Sequence, residues 1–169
     1  MNDVLTRFIA SGTLEPKETM PTVAPSMDIQ IPSSLERLIY DLEGDTSSFY
    51  NQLQSEKVAT LSEDATKKLQ SIFSSKSFDD EMILREIKDF NKNYDWIVDP
   101  HTATAVSEKV SFGSNLPVVG IATASPEKFS NVISSVIPSF SVKNSENTED
   151  YIVCRSDSST VENTIKEYF

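Results

Sequence analysis

The chain has 169 residues, 38% of them hydrophobic and 9% aromatic, with 15 basic against 26 acidic side chains and a net charge of −11. That is enough apolar material for one domain with a lean core. An acidic surface of this kind repels phosphate backbones and anionic lipid, and no basic cluster offsets it, which excludes nucleic-acid and membrane partners. Cys154 is the only cysteine, so no internal disulfide forms, which suits a reducing compartment. Residues 1–8 lack the basic and apolar regions of a signal peptide, and the longest apolar-rich run, 116–124, is too short to cross a bilayer. A soluble cytoplasmic protein is the expectation.

Asn2 or Asp3 is placed to cap a first helix whose apolar face is Val4, Leu5, Phe8 and Ile9, with Gly12 as its stop. A cap this close to Met1 reads either as a compact natural start or as a chain that has lost its upstream part. Prolines 16, 21 and 25 make residues 13–25 a loop. Met27 to Ile31 alternates apolar and polar residues and predicts a short strand ended by Pro32. Ser33 and Glu36 then form a capping box before a stripe of Leu35, Leu38, Ile39 and Leu42, closed by Gly44.

Residues 45–93 read as helical throughout. Phe49, Tyr50 and Leu53 form one face. Ser62 caps a segment expected to bury Leu69, Ile72 and Phe73. Asp79 or Asp80 caps another with Ile83, Ile87 and Phe90 at helical spacing. The charges opposite read as a solvated surface. This middle has the character of a helical insertion in something larger.

Asp99-Pro100-His101-Thr102 is the strongest local signal. Asp99 stands at an N-cap and Pro100 at the first helical position, predicting a helix from Pro100 to about Val110. The stretch holds the only histidine, just after the only tryptophan, Trp96. First-turn residues sit where orphan backbone donors gather and small polar ligands bind. The plainer alternative is a helix start under a loop, with His101 bonded to a nearby carbonyl.

Pro117 to Thr123 predicts a buried parallel strand. Ser125-Pro126 repeats the cap-plus-proline start for a helix with Phe129, Val132, Ile133 and Val136 inward. Tyr151 to Arg155 predicts a last strand, and Ser159 with Glu162 a capping box for a helix carrying Val161, Ile165 and Phe169. Alternating strands and helices indicate an α/β fold, with too few strands to leave the sheet without open edges. One histidine and one cysteine cannot build a usual zinc site, and no dinucleotide or P-loop signature occurs. Nothing places a serine beside His101 for a Ser-His-Asp triad.

Several of these stretches together resemble the C-terminal half of the threonine synthase family. They are Asn2-Asp3-Val4-Leu5-Thr6-Arg7-Phe8, Ala24-Pro25-Ser26-Met27-Asp28-Ile29, Ser33-Ser34-Leu35-Glu36-Arg37-Leu38, Asp99-Pro100-His101-Thr102-Ala103 and Thr123-Ala124-Ser125-Pro126-Glu127-Lys128-Phe129. Ser125 departs from the family's usual histidine, Glu127 from its alanine, and Ser34-Leu35 from its Asn-Phe.

The resemblance implies the α/β fold of the fold-type-II, tryptophan-synthase-β-like pyridoxal 5'-phosphate enzymes, here an incomplete, mostly parallel sheet with a helical insertion. Residues 1–44 and 94–169 would belong to the large domain and 45–93 to the insertion. It implies a lyase of threonine biosynthesis that converts O-phospho-L-homoserine and water to L-threonine and phosphate. Thr102 matches the hydroxyl residue that faces the cofactor's ring nitrogen. A hydroxyl there does not force protonation of the ring, which makes a milder electron sink. Asn2, Asp3, Ser26, Asp28 and Arg37 fall in motifs on the active-site side; Asp28 reads equally as an ordinary cap or turn acid, and Arg37 has a fork suited to a substrate phosphate or to pairing with Glu36 or Asp41 on its own helix. The Schiff-base lysine and the phosphate loop lie upstream in the family and have no counterpart here, so no catalytic lysine is assigned. The chain reads as a fragment whose partner is the missing N-terminal half, inactive and poorly stable alone. A threonine dehydratase-like lyase fragment and a non-catalytic acidic binding module are the alternatives.

Overall fold

A computed structural model describes residues 2–107, 118–142 and 154–168. The apolar stripes of the first helices converge on one core. Helix α1 (Val4–Ser11) runs into strand β1 (Thr13–Leu14), and after a long loop come α2 (Leu35–Glu43), α3 (Ser47–Glu56), β2 (Ala59–Thr60) and α4 (Glu63–Ile72). Phe8, Leu14, Ile39 and Leu69 are completely buried there, and Phe8 meets Phe49 edge-to-face at 6.1 Å between ring centres. β1 and β2 pair antiparallel, Thr13 opposite Thr60 and Leu14 opposite Ala59.

Gly12 makes the tight corner between α1 and β1. Its φ of +73° is left-handed, and an added Cβ would lie 2.1 Å from Thr66 Oγ1 on α4. Glycine is needed here both for the backbone and for the close helix approach.

A second core lies under α5 (Asp80–Tyr94), α6 (Pro100–Val106) and α7 (Ser130–Val136). Ile83, Ile87, Val98, Ala103, Ile133 and Ile137 fill it, and Ala24 is contributed from the early loop. The segment 45–93 is thus shared: α3, β2 and α4 serve the first core and α5 the second. Helix α8 (Ser158–Tyr168) closes the chain. Among the described residues no helix is long and apolar enough to cross a membrane.

Helical character with a small sheet fits the α/β class, but the expected parallel strands are not formed among the described residues. Their one sheet is the antiparallel β1–β2 pair, and β2 interrupts a stretch expected to be helical throughout. Met27–Ile31 is not a strand. Pro25–Met27 forms a 3-10 turn instead, because Asp28 folds back to accept hydrogen bonds from Thr22 N and Thr22 Oγ1. Val118, Val119 and Ile121 are 62%, 77% and 67% exposed and not in a strand, since no neighbouring strand pairs with them among the described residues. Cys154 and Arg155 are likewise exposed and outside any strand, and the rest of that expected strand, with Pro117, Val110 and Phe169, lies outside the described residues.

Several helix ends also differ. α6 stops at Val106. Asp3 precedes α1 but its carboxylate turns to Arg7 rather than capping. The Ser33–Glu36 capping box does not form, because Leu35 N donates to Pro32 O and starts α2 from a turn. At α8 the capping carboxylate is Asp157, which accepts from Ser159 Oγ and Thr160 N and is held down to about 2 by those bonds. Ile72 and Phe73 sit at the exposed end of α4, not in the core. Gly44, Ser62 and Asp79 do end or cap their helices as the spacing predicts.

Candidate functional site

Asp99 is 1% exposed and gathers the first turn of α6 around its carboxylate. Oδ1 accepts from His101 N at 2.9 Å and Thr102 N at 3.4 Å, and faces His101 Nδ1 at 2.9 Å. Oδ2 takes the hydroxyl of Thr102. Burial disfavours the charge, yet the bonds from Thr102 and His101 outweigh it and keep the carboxyl below its ordinary value.

His101 carries this order outward. Its Nε2 accepts from Ser26 N at 3.1 Å, so the proton of the neutral ring belongs on Nδ1, where it donates to Asp99. The ring also packs on Phe129 at 4.8 Å between centres. The first turn of α6, the Pro25–Met27 turn and the start of α7 therefore meet at one imidazole.

A cavity of about 330 Å³ opens beside this cluster. Asn2, Asp3, Ser26 and Asp28 line it, together with Thr104 of α6 and Lys76. Asn2 uses its whole amide within the chain: Nδ2 donates to Met20 O and Asp28 Oδ1, while Oδ1 accepts from Met20 N and Gln30 Nε2. Asp28 is held by Asn2 and Thr22. The Arg7 guanidinium bonds Asp3 at 3.0 Å and holds its carboxyl below the usual range.

Four of the six residues singled out from sequence are thus brought together at the cavity. Thr102 is not among its lining residues; it is 4% exposed and connects through Asp99, His101 and Ser26. Arg37 lies apart, on the exposed side of α2 near Tyr40, Asp41 and Thr46. Sequence reasoning missed Thr22, Met20 and the Ser26 backbone donor. Thr22 sits six residues before Asp28, a loop spacing with no helical or strand period to flag it. Groups of acidic, histidine or cysteine side chains able to hold a metal ion do not occur among the described residues.

No family model matches the chain. It is 30% identical over 139 residues to the threonine synthase of Pseudomonas aeruginosa, covering 78% of this chain and 29% of that protein. With the threonine synthase of Corynebacterium glutamicum it shares 31% identity over 148 residues, 80% of this chain and 31% of that one. Among solved structures, pyridoxal-phosphate-bound threonine synthase from Brucella melitensis superposes with a TM-score of 0.71 at 30% identity, over 80% of this chain and 30% of that chain. Yeast threonine synthase shares the fold, with a TM-score of 0.73 at 23% identity, over 85% and 33% of the two chains. The chain spans about three tenths of the curated relatives it matches.

Proposed function

Threonine synthase is the enzyme whose sequence and fold this chain matches over about 80% of its length, and on that premise we propose that it is the C-terminal portion of such an enzyme. In that reading it completes a site that turns O-phospho-L-homoserine and water into L-threonine and phosphate, in the cytoplasm. By itself it is inactive, since the lysine and phosphate loop of the site come from the remainder. Residues 1–44 and 94–169 belong to the large domain, and 45–93 to a helical insertion.

One observation carries the reading. Thr102 presents a buried hydroxyl at the first turn of α6, backed by a buried carboxylate and tied through His101 to Ser26 at the cavity. A hydroxyl so placed suits the nitrogen side of a pyridine ring. Pyridoxal phosphate, when bound, supplies an electron sink for carbanion chemistry.

The chain's own residues do the positioning. Asp99 fixes Thr102 and His101. His101 fixes the Pro25–Met27 turn, and with it Ser26 at the cavity wall. Asp3 and Ser26 face the substrate side, framed by Asn2 and Asp28, whose bonds within the chain hold the loop around them. Arg37 is free to meet a phosphate only from the outer side of α2.

The test mixes this chain with the unmatched portion of the Pseudomonas aeruginosa enzyme, pyridoxal phosphate and O-phospho-L-homoserine. Threonine and phosphate from the mixture, and from neither part alone, is the expected result. Product from this chain alone overturns its inactivity. Ammonia and a 2-keto acid released from threonine favour the dehydratase-like reading. Absence of product and of cofactor binding favours a non-catalytic acidic module.

A further inference from the structure

Charge is missing from two parts of this acidic chain. Residues 19–35 carry one charged side chain, Asp28, and residues 110–126 carry none, although 24% of all residues are charged. Asp28 is itself taken up by Asn2 and Thr22. Both stretches nevertheless turn apolar side chains outward. Met20, Met27, Ile29 and Ile31 are each at least 45% exposed, and Val118, Val119 and Ile121 more so. The end of α6 joins the two. Its Thr104 lines the cavity together with Met27 and Ile29. The next two residues meet Gly120, where an added Cβ would lie 3.7 Å from Ala105 O and 3.1 Å from Val106 Cγ1. One face therefore runs from the early loop across α6 to 118–122, with the cavity in it. Among the described residues no hydrogen bond holds the backbone of 118–122, which leaves its N–H and C=O groups open to an added strand.

Resting on the function proposed above, we propose that this face is where the remainder of the enzyme docks, through an uncharged apolar surface and an extended segment that pairs with 118–122. A contiguous exposed apolar face marks an interaction surface, and its occupant follows from two further observations. The Brucella melitensis structure matches this fold with only 30% of its own chain, so most of that chain lies outside the match and packs against it. The cavity lined by Asn2, Asp3, Ser26 and Asp28 belongs to the same face, so a partner that completes the site has to cover it. A second copy of this chain brings neither the lysine nor the phosphate loop to that cavity.

The test co-expresses this chain with the unmatched portion of the Pseudomonas aeruginosa enzyme and purifies through a tag on that portion. The native chain is expected to co-purify and to stay bound at high salt, because apolar burial has no charge to screen. Dissociation by salt marks a charged interface and overturns the apolar one. Val119→Glu combined with Ile121→Glu is expected to weaken assembly by at least about 30-fold, as loss of a central apolar anchor does, and Ile31→Glu by about 10-fold. Tyr40→Glu changes a side chain that is also exposed but lies on α2 beside Arg37 and Asp41, and assembly should not respond to it. All four side chains are exposed, so circular dichroism should show the native helix content in every variant. Native assembly by the double variant overturns the proposal.

Hydrogen exchange locates the contact. The amides of 27–31 and 118–122 should exchange more slowly in the complex than in the chain alone, and those around Tyr40 should not. The reverse pattern overturns the proposal, as does failure of the native chain to co-purify. Self-association of the native chain in place of the mixed complex, abolished by the double variant, gives the face to a second copy and also overturns it. The surface and the activity fail separately. A complex with this protection that yields no threonine from O-phospho-L-homoserine removes the proposed function and leaves the docking face standing. Threonine formed at the native rate by the double variant keeps the function and overturns the docking face.

Discussion

Asn2 ties together segments far apart in the chain, while Asp99 gathers only the first turn of its own helix, and the two leave different things over. Asn2 turns both amide hydrogens and both oxygen lone pairs on Met20, Asp28 and Gln30, so it builds a loop and keeps nothing for a ligand. Asp99 also satisfies itself within the chain, yet it leaves the Thr102 oxygen with unshared lone pairs. The difference teaches how to tell framework from machinery at a polar cluster. The number of bonds does not decide it; what capacity remains after they are made does.

The largest blow to this contrast is Asp99→Ala. It removes a cap and strands two side-chain donors in a buried place, and unfolding in urea is expected to show a loss of about 3 kcal/mol. A loss below about 1 kcal/mol would make the two clusters energetically alike. Asn2→Ala comes next. It breaks four bonds at a half-buried position and is expected to cost about 1–2 kcal/mol by the same measurement. Protection of the Thr102 hydroxyl proton from exchange, read by NMR, should survive it unchanged; loss of that protection would mean the two clusters are one network.

Acid gives a narrower effect. The Asp99 carboxyl lies below its ordinary value of 3.8 in the folded chain. Its contribution is therefore present above that value and lost as pH falls below it toward the folded pKa. A urea series through that range should fall less steeply for Asp99→Asn than for the native chain. An unchanged slope would say that other carboxylates govern acid unfolding. The smallest effect belongs to Arg7→Gln. Its bonds to Asp3 and Glu15 are 3.0 and 3.3 Å long but exposed to solvent on the acidic side, so stability should change by about 0.5 kcal/mol or less.

How much of this was visible in the residues depends on the range of the force involved. The Asp99-Pro100 start is local chemistry, and the cap forms with the bonds that spacing predicts. Gly12, Gly44, Ser62 and Asp79 are readable for the same reason. Met27–Ile31 misleads because alternation speaks only of faces, while Asp28 is captured by Thr22 and Asn2 from outside that window. The strand expected at Pro117–Thr123 fails for want of a partner among the described residues, since a strand is defined by its neighbour and not by its own side chains. The cavity was half legible. Motifs picked out Asn2, Asp3, Ser26 and Asp28, but no local pattern announces that Asn2 is saturated.

The bond from Ser26 to His101 joins residues 75 positions apart. Seen in time rather than in space, it closes the longest of the loops that define the site. Its ends are held together by the second core, which packs Ala24 of the early loop with Ala103 of α6. Loop closure is entropically unfavourable and repaid only when the contact forms. We expect the imidazole to reach its place late in folding, so that His101→Ala speeds unfolding while leaving the folding rate nearly unchanged. Stopped-flow measurement of both arms would test this, and an equal slowing of folding would place the contact in the nucleus instead.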